Sequence, residues 1–208
     1  MRRLVPLFLA LGLASAAKAG DLELTFATAA GAPVADAVVM VRPDAGPGRG
    51  ARISGPFVMA QKDMAFQPYV LIVPVGADVA FPNLDPFHHH VYSFSKAKTF
   101  ELKLYGQTEV RRVTFDKAGV VAIGCNIHDQ MSAYIRVVDT PYAAKTAATG
   151  VSVVRDLPAG PATVTVWHPF LKAPQGEMTQ RVMIPANGSL KVAVRGDLRA
   201  ARLRRSAY

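Results

Sequence analysis

Short apolar runs, each closed off by glycine, proline, asparagine or aspartate, restrict the fold of this chain more than any other feature. LELTF, DAVVMV, YVLIVPV, ADVAF, HVYSFS, RRVTF, VVAIG, SAYIRVV, ATVTVW, QRVMI and LKVAV have the length of strands rather than helices. Several alternate apolar with polar residues, which sends successive side chains to opposite faces of a strand. Helical periodicity is almost absent after the N-terminus, and the basic end KVAVRGDLRAARLRRSAY is the one other helix candidate. The pattern predicts an all-β protein of the sandwich type. Half of the 208 residues are apolar, enough to fill a sizeable core.

The first twenty residues, MRRLVPLFLALGLASAAKAG, set Arg2 and Arg3 before an apolar run and Ala17-Lys18-Ala19 after it. That is the layout of a secretory signal peptide, residues 1–19, cleaved after Ala19. The apolar run is shorter than the ~20 residues a membrane span needs. The mature chain is expected to be exported, soluble and periplasmic. Removing Arg2, Arg3 and Lys18 leaves 21 bases against 15 acids and lowers the formal charge from +9 to +6. Much of the remaining excess lies in the tail, which reads as a solvated segment or a patch for an acidic partner. Basic and aromatic residues are not interleaved, and no nucleic-acid role is expected. A single cysteine cannot form an internal disulfide in an oxidising compartment, which favours Cys125 as a metal ligand.

Two junctions divide the chain. Residues 41–55, VRPDAGPGRGARISG, read as a linker or long loop, and residues 139–150, DTPYAAKTAATG, as a second low-structure stretch. The piece between them, about 53–138, holds Cys125, Met131 and four of the five histidines.

GCNIHDQM carries a thiol, an imidazole and a thioether at three-residue intervals: Cys125, His128 and Met131. In VVAIGC, Val121, Ile123 and Cys125 share a strand face, and after the loop Met131, Ala133, Ile135 and Val137 do the same. A short loop between adjacent strand ends thus aims three donors at one point. Two soft sulfurs with nitrogen suit copper, and a His₂Cys plane with a weak axial Met is the blue-copper set. That set needs one more histidine, and FPNLDPFHHHVYSFS offers His88, His89 and His90 at the start of an earlier strand. Simple alternation puts His90 on the face of Tyr92 and Phe94. His168, in TVTVWHPF, reads as structural, and Asp129 and Gln130 as solvated loop residues.

NLDPFHHHVYS resembles the N-x-D-x-x-x-H-x-V stretch of cupredoxins, and VTFDKAGVVAIGCNIHDQM resembles their C-x-x-H-x-x-M hairpin loop, of the short amicyanin type. The wording around both is similar to exported cupredoxin-like proteins linked to methylamine utilisation. The likeness covers about residues 67–140 and implies a cupredoxin Greek-key β-sandwich over 53–138. It also implies one type 1 copper ion, with His89, Cys125 and His128 in the plane and Met131 axial. Counted from Asn83 and Asp85, the family's first histidine falls on His89. The asparagine that usually follows it is replaced by His90. Phe81, Phe87 and Ile127 are expected to limit water access. The implied function is periplasmic single-electron transfer, with a cytochrome c or dehydrogenase-like redox partner; the alternative is a periplasmic copper-binding or delivery protein. No substrate pocket or acid–base pair is readable, so no enzyme activity is expected.

DLPAGPATVTVWHPF and QRVMIPANGSLKVAV resemble the carboxypeptidase regulatory-like, transthyretin-type β-sandwich, and LTFATAAGAPVADAVVMVRP resembles its opening hairpin. Neither piece alone has strands enough for stability. The expectation is a discontinuous second sandwich from 21–45 and 140–197, interrupted by the cupredoxin unit and followed by the basic tail 198–208.

Overall fold

The computed structural model of the chain describes residues 19–48 and 51–200. The signal-peptide assignment therefore lies outside the described residues except for Ala19, as does the tail from residue 201. Chain order runs β1 (Ala19–Ala27), β2 (Val38–Pro43), β3 (Phe57–Val58), β4 (Ala60–Lys62), β5 (Ala65–Gln67), β6 (Val70–Pro74), β7 (Ala77–Pro82), β8 (His89–Ser95), β9 (Lys98–Tyr105), β10 (Val110–Phe115), β11 (Gly119–Gly124), β12 (Ser132–Val138), β13 (Tyr142–Lys145), β14 (Val151–Pro158), β15 (Gly160–Trp167), β16 (Glu177–Ile184) and β17 (Ser189–Arg195). One 3₁₀ turn, Pro174–Gly176, is the sole helical element among the described residues. The protein is all-β, as its apolar runs predict.

Three local expectations are corrected. The stretch DTPYAAKTAATG is not structureless, because Tyr142–Lys145 form β13 and pair antiparallel with β2. Val41–Pro43, assigned to the loop 41–55, complete β2 and pair with β15. The helix candidate in the basic tail is extended where it is described. Leu198 bridges Leu171, and Arg199 N–H donates to Phe170 O at 2.7 Å, so this backbone is satisfied by a neighbouring segment.

The strands lie in stacked layers. Sheets β14-β1-β17 and β13-β2-β15-β16 enclose one apolar cluster, with Leu22, Leu24 and Phe26 from one side and Val39, Val41, Val164 and Val166 from the other. Sheets β10-β7-β3 and β6-β12-β11-β8-β9 enclose a second, with Val79, Phe81 and Phe115 against Val91, Val121, Ile123 and Ile135. A third, smaller cluster joins the outer faces of two of these sheets, where Val38, Met40 and Trp167 meet Val70 and Val138. Alternation explains the runs VVMV and SAYIRVV. Odd residues of β2 face the first cluster and even ones the third, while in β12 Ile135 faces the second and Val138 the third. Strands covered on both faces read as nearly continuous apolar runs.

One charge is buried in the seam between the two sandwiches. Arg136 donates to Glu177 Oε1 at 2.6 Å, and its guanidinium lies 5.7 Å over the Trp167 ring. Burial lowers its pKa below the ordinary arginine value, against the opposing pull of Glu177. Arg136→Ala removes the ring contact and leaves a half-buried carboxylate unpaired. A loss of about 1–3 kcal/mol follows, below the 3–5 kcal/mol of a fully buried pair, because the Glu177 side chain keeps 26% exposure. Arg136→Met with Glu177→Gln should recover most of it in a urea unfolding curve.

His168 is 6% exposed and its Nδ1 accepts the Phe170 N–H at 3.3 Å. Burial lowers its pKa, with Asp36 pulling weakly the other way. The unfolded chain therefore binds this proton more readily than the folded one. Stability is complete above the unfolded value near 6.5 and falls as pH drops below it, by at most ~1.4 kcal/mol per unit. His168→Gln should flatten that acid limb of the melting temperature and leave the neutral limb in place.

Candidate metal centre

β11 carries Val121 and Ile123 into the core and delivers Cys125 at its end, 4% exposed in the same apolar cluster. β12 begins one residue after Met131, which is 2% exposed and belongs to that cluster too. Gly124 pairs with Ser132 across the hairpin. Cys125 N–H donates to Met131 O at 3.1 Å and Met131 N–H to His128 O at 2.9 Å. The loop is thus closed on itself, with Cys125 and Met131 drawn inward, His128 half-buried and Asn126, Ile127, Asp129 and Gln130 exposed. Gly124 cannot carry a side chain without displacing a neighbour, since a Cβ there would lie 3.1 Å from the Tyr92 ring of β8.

β8 supplies the second imidazole. Cys125 Sγ is 3.9 Å from His89 Nδ1 and 3.8 Å from His128 Nδ1, and one donor atom from each residue lies within 4.8 Å of the others. Sulfur and nitrogen donors about 2.0–2.3 Å from one ion sit just under about 4 Å apart at trigonal or tetrahedral angles. Two imidazoles and a thiolate, with a buried thioether on the same loop, form a donor set that fits copper.

His89 is fully buried and held from behind. Its Nε2 lies 2.7 Å from Asp85 Oδ2, and its Nδ1 faces the Cys125 sulfur. Burial works to raise the Asp85 carboxyl, but the hydrogen bonds from His89, Met64 N–H and Asp63 N–H outweigh it and hold the pKa below the usual carboxylate range. Asn83 braces the segment between β7 and β8. Its amide donates to Phe87 O at 2.7 Å and Tyr105 O at 3.0 Å, and its Oδ1 accepts Asp85 N–H at 3.0 Å. The Tyr105 hydroxyl donates to Phe81 O at 2.7 Å, and burial pushes its pKa up to about 12.

Of the four expected donors, His89, Cys125 and His128 are brought together, and Met131 is buried beside them in the loop. Strand alternation is right that His90 shares a face with Tyr92 and Phe94, but that face points away from the site. The three rings lie in a row, tilted against one another with centroids 5.7 and 5.3 Å apart, and His90 Nε2 bonds Glu101 at 2.9 Å. The β8–β9 register shifts between His89 and Val91, an irregularity at the start of the pairing that leaves the extra residue on β9. His88 is exposed. Of the residues expected to exclude water, Phe87 packs on both imidazoles, at 5.1 and 5.7 Å. Phe81 is wholly buried in the core and Ile127 is 48% exposed. Asp85 was visible in the sequence only as a fixed position of N-x-D; nothing in its spacing identified it as the partner of His89. Gln61, whose amide reaches the Tyr105 hydroxyl at 2.5 Å, gave no signal at all.

Neither protein-family models nor curated proteins match the chain. Among solved structures it is similar to a copper-containing nitrite reductase from Thermus scotoductus SA-01, at 29% identity over 45% of this chain and 25% of that one, TM-score 0.39. The reduced Cu(I) form of an amicyanin point mutant matches at 21% identity over 48% of this chain and 98% of that one, TM-score 0.38. A purple cupredoxin from Nitrosopumilus maritimus matches at 19% identity, over 39% of this chain and 99% of that one, TM-score 0.36. The structural neighbours are cupredoxins. This chain spans a quarter of the length of the nitrite reductase.

Proposed function

We propose that residues 53–138 form a cupredoxin unit holding one type 1 copper ion, and that the protein transfers single electrons in the periplasm. His89, Cys125 and His128 would hold the ion, with the Met131 thioether as a further donor. The convergence of the Cys125 sulfur on two imidazole nitrogens from distant parts of the chain carries this reading. Bound there, copper would supply a centre that gains and loses one electron. The chain's residues keep that change small in nuclear terms. Asp85 fixes the ring of His89, the core grips Cys125 and Met131, and Phe87 covers both imidazoles. His128 is the most accessible of the three donors, and exposed Phe87 and Ile127 beside it offer an apolar contact for a redox partner. That partner would be a cytochrome c or a dehydrogenase-like protein, with amine oxidation as the pathway suggested by the sequence likeness. We assign no enzymatic reaction. Among the described residues, no helix is long and apolar enough to cross a membrane.

The segments 21–45 and 140–197 are proposed as one discontinuous sandwich, supported by the pairing of β1 with β14 and β17. The exposed loop residues Asn126, Asp129 and Gln130 favour one other reading, copper binding for delivery. Loading the purified protein with Cu(II) separates the two. Electron transfer predicts an intense visible thiolate band, a narrow-hyperfine paramagnetic resonance signal and repeated reversible reduction. A colourless Cu(I) form that loses metal quickly to a chelator would replace this reading with delivery.

A further inference from the structure

Hairpin β4–β5 supplies none of the three donors, yet its turn is built toward the site. Lys62 pairs with Ala65, leaving a two-residue loop of Asp63 and Met64. Both adopt left-handed backbone, φ 55° and 56°. Two-residue hairpins of this kind ask for Asn-Gly or Asp-Gly, and a bulky residue such as Met64 is an outlier at positive φ. What the conformation achieves is the direction of two adjacent amides. Asp63 N–H donates to Asp85 Oδ1 at 2.7 Å and Met64 N–H to Asp85 Oδ2 at 3.1 Å. The same Oδ2 takes His89 Nε2 at 2.7 Å. Gln61 of β4 bridges Asn83, and Leu84 N–H donates to Gln61 O at 2.8 Å, which ties the hairpin to the segment that carries Asp85.

We propose that the Asp63–Met64 turn and Asp85 form a positioning unit, in which the turn's two amides lock a buried carboxylate that in turn fixes the tautomer and ring orientation of His89. This deepens the reading of His89 as a ligand and rests on it. Asp85 is a positioning residue, because it acts through His89. The carboxylate accepts three hydrogen bonds, and an ionised carboxyl has no proton to offer, so Nε2 must be the protonated nitrogen. Such outer partners of a ligating histidine commonly change metal affinity 10–100-fold when lost. An asparagine at 85 offers one acceptor oxygen and an NH₂ group, so at least one of the three donors must face another donor.

The test uses the full chain, with nitrogen-15 NMR of the histidine rings at neutral pH, without metal, and Cu(I) affinity by chelator competition. The parent should show His89 as the Nε2–H tautomer. Asp85→Asn should lose or mix that tautomer and weaken Cu(I) binding 10–100-fold, with an unchanged far-ultraviolet spectrum. Met64→Gly keeps the amide and suits the backbone, so it should raise the melting temperature and leave tautomer and affinity at parent values. A parent His89 protonated on Nδ1, or Asp85→Asn with the parent tautomer and affinity within about twofold, overturns the proposal. Should Asp85→Asn fail to fold, Asp85→Glu and the parent tautomer carry the test: a Nε2–H parent supports it and a Nδ1–H parent sinks it. The tautomer is read without copper, so its outcome stands apart from whether the protein transfers electrons.

Discussion

Cys125→Ser should abolish the intense visible band of the copper-loaded protein while leaving the fold in place. The band comes from charge transfer between thiolate and Cu(II), and Cys125 is the only sulfur of that kind in the chain. The remaining set would be two imidazoles and a thioether, which lacks the anionic donor that neutralises and covalently holds the ion. Loss of affinity should therefore exceed the 10–100-fold typical of changes to a ligand's outer partners. The structural cost is smaller. Cysteine and serine are close in size, and a hydroxyl at this position meets His89 and His128 nitrogens now 3.9 and 3.8 Å from sulfur. One polar atom in an apolar pocket costs about 1–3 kcal/mol if it stays unpaired. For a chain of this size that is a fall of several degrees in melting temperature, at roughly 2–4 °C per kcal/mol. The measurement is the visible and paramagnetic resonance spectrum of both proteins beside their metal-free melting curves. Retention of the parent band in Cys125→Ser would remove the thiolate, and with it the electron-transfer reading. Loss of thermal stability with redox cycling intact would make the site merely structural.

The donors were legible in the sequence because their spacing is local or falls at strand ends. Cys125, His128 and Met131 sit within a single short loop, and the period-2 pattern on either side puts their strands face to face. His89 was harder. Alternation sees that His89 and His90 point oppositely, but not which side of β8 is the core. That follows from Val91 packing with Val121 and Ile135, a contact between strands far apart in the chain. Two of the strands missed, β9 and β13, show why others escape notice. KTFELKLY, in β9, is an edge strand whose Lys and Glu side chains reach solvent, so its apolar signal is diluted. β13 is Tyr-Ala-Ala-Lys, too short and too small to register, and is a strand only because β2 lies beside it. The bracing of the site by Asp85, Asn83 and the Asp63–Met64 turn depends on backbone directions across separate loops. Residue identity does not encode these until the chain is folded.

Ending the chain at Asp139 should unfold the N-terminal strands and spare the metal unit. β1 sits between β14 and β17, and β2 between β13 and β15, so the truncation strips each of both neighbours. Leu22, Leu24, Phe26, Val39 and Val41, all fully buried, would lose the side chains they pack against. At roughly 1.5–3 kcal/mol for each, the loss is comparable with the whole stability of an ordinary domain, about 5–15 kcal/mol. Residues 53–138 keep both of their sheets and the cluster around Phe81 and Ile135. What they lose is cover over Val70, Tyr134 and Val138, together with the partners of Arg136. The truncated protein should therefore bind copper with the parent spectrum, melt at a lower temperature and self-associate through that uncovered face. Hydrogen exchange would find residues 19–43 unprotected and β7, β8, β11 and β12 protected. Protection persisting in β1 and β2 would show that the N-terminal segment belongs to the metal unit's own sheets. Collapse of protection throughout 53–138 would show that the two sandwiches fold as one domain, with the buried seam at Trp167 and Arg136 as much a part of the copper site's support as the core beneath it.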